Sequence, residues 1–540
     1  MNLELPGGAN HWRGPALAVA ARRLVHLGRH DNTWTTSLAF FGLAVLTGLV
    51  LAVLVLLVPP LYLFLGLGGV VFAFLLLSKI EIAILLALLL RNWLGQFNYL
   101  GGDTPLHPNG LIGVAIIGGA GVYFLLSRID LSRLRAFWPF ATFTAIYLLA
   151  LLRTGEHIMD GLTVVLRLST ALAIYAVLVY KLDSRKKINW LIAAVIAAQI
   201  QPTVVGLVSV ARGGGMDLGA GQIVRSGHSG QGAFLAMILA FCLVPLLHAN
   251  TARRRLLWGS LVGLFAVGLF FSYGRAGWIG FAITAVVIGL MKRSKLLIIL
   301  PIALVLLIVL VPTALERFSE IDLQHLGDSN YSSSTLAGRI EMWQASLRDW
   351  ATSPWLGAGY GVGRHQLKEY SGRMASMLHN DYLAVLVQTG LIGLTVFIIW
   401  HWRWLVEILG VYRTAHNVYD QILALAVFAM FFASLVVRIT DNVIETTEKL
   451  YPLVALVAAA LALPRIRAEE AMSSDPDLAE GQPGGWQSRI VTPKAPHASS
   501  PPGEDSQRRR PPGRWERGSS TTEDGWIRAK KRPGNRQSPP

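Results

Sequence analysis

The chain is short of charge. Only 15% of its 540 residues are Asp, Glu, Lys or Arg, where a soluble domain carries roughly 25%. Hydrophobic residues reach 53% and mean hydropathy is +0.48. These values exclude a soluble globular enzyme and a disordered chain. Cysteine is nearly missing: Cys242, in an apolar run, is the only one. That excludes an intrachain disulfide framework and a cysteine-based zinc site. The motifs H-E-x-x-H and G-x-S-x-G do not occur, and no metal-ligand cluster is legible, so no metal and no cofactor is expected. Acidic residues are scarce, 32 against 48 basic ones, which leaves a net charge of +16. In a soluble protein this would point to nucleic acid. In so apolar a chain the basic residues are first tested as topology signals.

What the sequence does have is a series of long apolar runs. About 20 apolar residues cross a bilayer. Candidate spans fall at 37–58, 61–78, 82–98, 111–126, 136–152, 162–180, 188–210, 232–249, 256–273, 276–291, 296–313, 380–400, 421–439 and 448–464. Some are short, so the expected architecture is an all-α polytopic bundle of 12–14 transmembrane helices. Residues 1–36 hold Arg13, Arg22, Arg23 and Arg29 but no small-residue cleavage site. They read as a cytoplasmic segment rather than a cleavable signal peptide. With the N-terminus inside, alternate turns are basic: 127–135, 181–187, 250–255, 291–295 and HWRW at 401–404. The intervening turns, 95–110, 153–161, 211–231, 314–379 and 440–447, are less basic. That phase obeys the retention of Lys and Arg on the cytoplasmic side. It accounts for the basic excess without nucleic acid, and it places both termini in the cytoplasm.

The expected organisation is then a cytoplasmic segment 1–36, transmembrane helices over 37–313, an extracytoplasmic loop domain 314–379, transmembrane helices over 380–466, and a tail 467–540. The tail is rich in Pro, Ser, Gly and Arg without apolar periodicity, and reads as disordered. Residues 506–540 hold ten Lys/Arg and three Asp/Glu. RRRPPGRWER (508–517) suits anionic headgroups of membrane lipids or a partner, and a solvated tail is the plainer reading. The loop 314–379 contains a helix over 334–352, with Leu336, Ile340, Trp343 and Leu347 at helical spacing as its apolar face. A long ordered loop of this kind usually carries function.

Chemistry-bearing residues gather on the outside. Arg225 lies in IVRSGHSGQGAF (223–234), Arg275 in FSYGRAGWIGF (271–281), Arg339 in the loop helix, and His379 in LHNDYLAVLVQTGLIG (378–393). Positive residues there oppose the positive-inside bias. A set of guanidiniums suits a phosphate or pyrophosphate through bidentate hydrogen bonds, and a histidine suits proton transfer from a hydroxyl. Arg167, inside a span, is a secondary candidate because an intramembrane charge often faces a cavity. Asn380 and Tyr382, beside His379, are two more. Each has a plainer alternative. Arg275 would bond helix-end carbonyls, His379 with Asn380 would cap the next helix, Arg339 would pair with Glu341, and Arg167 would snorkel. GAGYGVG (357–363) is not a nucleotide loop: it has no lysine partner and follows no strand. It reads as a turn, or as a place where backbone approaches a ligand.

The order of these pieces resembles the O-antigen ligase and Wzy polymerase superfamily. RSGHSGQGAF, FSYGRAGWIGF, GRIEMWQASLRDWATSPWLGAGYGVG and LHNDYLAVLVQTGLIG are each similar to a segment of that family. The similarity covers about 220–400. Two departures stand out: Gly274 precedes the arginine where the family more often has Ser, and His228 stands where Asn is frequent. The resemblance implies a metal-independent glycosyltransferase. Its donor is a glycan on undecaprenyl pyrophosphate, and its acceptor is another glycan, lipid A core or a protein. Arg225 and Arg275 would bind pyrophosphate, and His379 would activate the acceptor. In-line attack predicts inversion at the anomeric carbon. Two other classes stay open. A lipid-linked oligosaccharide flippase or transporter would use the same cations without chemistry, and would show inverted repeats and broken mid-membrane helices. A membrane scaffold would act through its tail.

Overall fold

In the computed structural model the described residues are 60–95, 108–127, 136–154, 158–212, 228–293, 336–360 and 378–474, with a few isolated positions between them. The chain divides into two units, Met1–Pro483 and Gly484–Pro540, and every described residue lies in the first. The expected span 37–58, most of 296–313, Arg225 and the tail from 475 lie outside the described residues.

Among the described residues there are thirteen α-helices and no strand. They are α1 Pro60–Ser78, α2 Ile80–Gly95, α3 Pro108–Ser127, α4 Phe137–Ala150 and α5 Ile158–Lys181. Next come α6 Arg185–Ala211, α7 His228–Leu247, α8 Ala252–Phe271 and α9 Arg275–Lys292. The last four are α10 Leu336–Ala351, α11 Asp381–Arg413, α12 Val418–Val437 and α13 Thr447–Ser474. Every expected span that falls on described residues coincides with one of these helices. Eight (α3, α5, α6, α8, α9, α11, α12, α13) are long and apolar enough to cross a membrane. The chain is an all-α, multi-pass membrane protein.

Burial follows the apolar pattern. Helix α7 is buried all round from Ala233 to Val244, and α13 from Leu450 to Ala460. A helix apolar on every side belongs in the centre, and α7 packs on α8, α9 and α12 there. Outer helices leave Phe74, Leu77, Leu125, Leu152 and Leu256 exposed, which suits lipid contact.

At one end of the bundle, basic residues form bridges between helices. Asp420 of α12 is fully buried and faces Arg185 of α6 at 3.2 Å and Arg467 of α13 at 3.4 Å. Lys187 meets Asp183 at 2.7 Å and Glu81 of α2 at 3.3 Å. The KLDSRKK turn thus knits four helices together. HWRW is not a turn. It lies inside α11, with Trp400, His401 and Trp404 buried against Phe140 and Phe431. The turn comes at 414–417, because the membrane-crossing part of α11 starts ten residues later than its apolar run suggests.

That shift comes from a break at Gly390, whose φ of 69° and ψ of −169° are not helical. The rings of Tyr382 and Phe397 lie 5.8 Å apart, although fifteen residues of straight helix would separate them by about 22 Å. The arm 381–389 therefore folds back beside the arm 391–413. A break frees backbone groups that must find partners away from water. Segment 354–359 supplies them. Ala358 and Gly359 amides donate to the Val387 and Gln388 carbonyls at 2.8 and 3.3 Å. Leu391 and Ile392 amides donate to the Pro354 and Trp355 carbonyls at 2.9 and 3.3 Å. The glycine-rich motif thus makes its close backbone approach to α11. Gly357 and Gly359 carry φ of 72° and 89°, and a Cβ at Gly357 would sit 2.5 Å from the Gln388 carbonyl carbon.

Candidate functional site

The site is assembled at the opposite end, around the turn 438–447 and the start of α11. Asp381 organises it. Its Oδ2 accepts from Arg438 Nη1 at 2.8 Å and from the amides of Val443 and Ile444 at 3.0 and 3.1 Å. Its own amide donates to the Arg438 carbonyl at 2.9 Å. Both side chains are buried, at 1% and 0% accessible. A buried ion pair costs desolvation and holds only with good geometry and further hydrogen bonds; here the turn's own amides provide them. The pair fixes the turn that carries Asp441 and the residue, His379, that precedes α11 by two positions.

His379 adopts φ of 50°, a left-handed backbone that non-glycine residues rarely take outside functional or turn positions. Its Nδ1 is buried and stands 3.9 Å from Asp441 Oδ1, while 23% of the side chain stays accessible. Asp441 also accepts from Lys449 Nζ, which donates to the Asn442 carbonyl at 2.9 Å as well. Burial alone would raise the Asp441 carboxyl. Lys449, with His379 and the Asn442 amide, outweighs it and holds Asp441 down at about 2. At 3.9 Å the two groups are beyond hydrogen-bond distance, and His379 Nδ1 has no hydrogen-bond partner among the described residues. Histidine and carboxylate side by side are the groups that a general base and its orienting partner require.

The guanidiniums come from two directions. Arg275 is the first residue of α9, whose N-cap Gly274 makes no side-chain hydrogen bond. The first-turn amides and the helix dipole therefore favour an anion at this point. Glycine at 274 fits the packing: a Cβ on Gly232 of α7 would meet the Gly274 Cα at 3.1 Å, and one on Gly277 would meet the Gly232 carbonyl oxygen at 2.4 Å. Arg339 lies on α10 and donates from Nη1 to the Thr440 carbonyl at 3.0 Å, so its partner is a carbonyl of the turn. Burial lowers its pKa, and Arg275 nearby lowers it further against the pull of Asp441. Two neighbouring guanidiniums raise the local positive potential.

Helix α10 is held over α11 by Trp343, whose Nε1 donates to the Leu378 carbonyl at 2.9 Å. Its inner face differs from the expected one. Met342, Ser346 and Asp349 are buried, whereas Leu347 is exposed. The helix turns Arg339 and its polar flank inward because the turn 438–447 offers a carbonyl there. Burial raises the Asp349 carboxyl.

The structure thus brings Arg275, Arg339 and His379 to one end. Arg225 lies outside the described residues. Asn380 caps α11, its side chain accepting from the Leu383 amide at 3.0 Å, and the Tyr382 hydroxyl donates to the Leu435 carbonyl at 2.9 Å. Arg167 donates from Nη1 to the Glu445 carbonyl. It stands nine residues into α5 from Ile158, about 13 Å by the helix rise. Asp441, Arg438 and Lys449 did not emerge from the sequence reading. The signal was the density of charge in RITDNVIETTEK (438–449), unusual between two apolar runs.

These features define a polytopic helical membrane protein with basic side chains and a buried charge cluster at one end, beside a loop helix. Residues 260–398 match the family model described as O-antigen ligase, and over that stretch the chain is similar to that family. The match takes in Arg275, Arg339, His379, Asp381 and the Gly390 break. No match to a curated protein was found.

Proposed function

We propose that the protein transfers or polymerises glycan from an undecaprenyl-pyrophosphate donor on the outer face of the inner membrane, as a metal-independent, inverting transferase. The family match supports ligase- or polymerase-type membrane function in general. The observation that carries the finer reading is the juxtaposition of an anion site (Arg275, Arg339 and the α9 N-terminus) with the His379–Asp441 pair.

The chemistry follows from these groups. The leaving group is a lipid pyrophosphate, already weakly basic, so it needs charge stabilisation more than protonation. Arg275 and Arg339 supply that as negative charge grows on it. The acceptor hydroxyl oxygen attacks the anomeric carbon while His379 Nε2 takes its proton. The bond from that carbon to the phosphate oxygen breaks, and the electron pair leaves with the pyrophosphate. Asp441 stabilises the imidazolium that forms. Arg438 and Asp381 hold the turn in place and touch neither partner.

The transporter alternative called for a broken helix lining a substrate path. The break at Gly390 is instead filled by backbone from 354–359, which favours a fixed site. The test is release of undecaprenyl pyrophosphate from a labelled lipid-linked oligosaccharide, in membranes carrying equal amounts of wild type, Arg275→Ala or His379→Ala. Transfer by wild type and its loss in both variants supports the reading. Movement of the intact donor between leaflets without transfer refutes it.

A further inference from the structure

Charge is divided unevenly at the end of the bundle opposite Arg275. Arg185, Lys187, Arg465 and Arg467 each meet a carboxylate, from Asp420, Glu470, Glu81, Asp183 or Glu469. Residues 218–315, which include α7, α8 and α9, hold eight Lys/Arg and not one Asp or Glu. Three of these cations, Arg253, Arg254 and Arg255, occupy consecutive positions in the first turn of α8, and all are exposed. That turn is a whole helix, about 30 Å, from the short link 272–274 that leads to Arg275. Lys292 and Arg293 end and cap α9, where Lys292 lies 5.4 Å over the Tyr412 ring of α11. None of these five makes an ion pair among the described residues.

The arginine trio is unfavourable by itself. Positive charge in a first turn opposes the helix dipole, and neighbouring guanidiniums repel one another. Within the trio only Arg255 has a side-chain partner among the described residues: its Nε donates to the Ala249 carbonyl at 2.9 Å. Topological retention does not require this arrangement, because the KLDSRKK turn carries its own Asp183, paired to Lys187. Beyond the trio the surface turns apolar at once, with Leu256 and Leu257 73% and 56% exposed. Bare cations followed directly by exposed leucines match the level where headgroups meet acyl chains.

We propose that Arg253, Arg254 and Arg255 bind the phosphate of an acidic phospholipid in the leaflet opposite the Arg275 end, with Leu256 and Leu257 against its acyl chains. Guanidiniums take phosphate oxygens through paired hydrogen bonds, and the anion compensates the α8 dipole that the arginines oppose. Lys292 and Arg293 add to the positive field at that end. The site stands apart from the transferase reading, and the trio precedes the stretch 260–398 that matches the family.

The experiment is photo-crosslinking of the full-length protein in lipid nanodiscs. The probes are phosphatidylglycerol and phosphatidylcholine, present in equal amount and carrying the same diazirine on the acyl chain, and adducts are located by mass spectrometry. An arginine near an anionic surface is worth roughly fivefold in binding, so adducts at 256–260 in wild type favour phosphatidylglycerol by about tenfold or more. Arg253→Gln/Arg254→Gln brings that ratio to about twofold or less and leaves the ratio at 188–192 of α6 unchanged. Equal labelling by the two lipids in wild type overturns the proposal, as does an undiminished preference in the double variant. Should that variant fail to insert, wild type in about 1 M salt, where the screening length is about 3 Å, gives the same test. A preference lost in salt supports the site, and one that persists overturns it.

Discussion

Replacing Gly390 by alanine tests whether the fold of α11 builds the site. Gly390 holds φ of 69° and ψ of −169°, a region essentially reserved for glycine, where another residue costs roughly 1–3 kcal/mol. The added Cβ would lie 2.3 Å from the Trp355 carbonyl carbon and oxygen and 2.6 Å from the Gly357 nitrogen. These are backbone atoms, so they yield only if segment 354–359 moves. Four backbone hydrogen bonds tie that segment to α11, and each one broken and left unpaired costs about 1–3 kcal/mol. Strain plus two lost bonds gives at least ~3 kcal/mol, enough to undock the segment. Gly410→Ala is the control, since a Cβ there meets nothing within 4 Å. Limited proteolysis of membrane-embedded protein reads the loop, and the transfer assay reads the site. Gly390→Ala is cleaved faster within the 354–359 segment and loses transfer, while Gly410→Ala behaves as wild type. A Gly390→Ala protein with normal protection and activity would refute the reasoning.

Other consequences follow from the same contacts. Asp381→Asn or Arg438→Met leaves one buried charge without its partner, a loss of roughly 3–5 kcal/mol; both variants accumulate poorly and melt lower, and the double replacement recovers part of the loss. Asp441 titrates at about 2 in the folded protein, below its unfolded value near ~3.9. Its stabilising contribution is therefore complete above about pH 4 and is lost as pH falls toward 2, so thermal stability shows no step from Asp441 between pH 5 and 8. Asp441→Asn leaves the buried Lys449 without its charge partner, so it melts lower by roughly 3–5 kcal/mol of stability, and the protein that does assemble transfers roughly 10²-fold more slowly, as expected when a positioned base loses its orienting partner. Arg275→Lys and Arg339→Lys keep the charge but lose the bidentate fork, so the KM for donor rises in each.

The helical architecture was legible because lipid-facing and central helices are both apolar, and a 20-residue run says so directly. Arg275, Arg339 and His379 stand out in the sequence because cations on the expected outside oppose the topology bias, and the fold brings them to one end of the bundle. Other features were hidden for physical reasons. The apolar run of α11 continues unbroken through Gly390, so hydropathy could not register the fold-back, and HWRW was read as a turn because Arg403 looked like one. The spacing predicts one apolar face of Leu336, Ile340, Trp343 and Leu347 on α10; Trp343 packs inward, but Leu347 is exposed and Met342, Ser346 and Asp349 are buried. The glycines of 357–363 announced close backbone approach, but only the fold names α11 as the backbone approached. Asp441 and Arg438 act through contacts some sixty residues away in sequence, which no local pattern carries.

The central claim is a single displacement in which His379 activates the acceptor directly. Its most direct test is the anomeric configuration of the linkage made by purified wild-type protein, read by NMR against the configuration of the lipid-linked donor. The account predicts inversion with one undecaprenyl pyrophosphate released per glycan transferred. A retained configuration would contradict it, because retention requires a covalent or otherwise double displacement that the His379–Asp441 geometry does not provide.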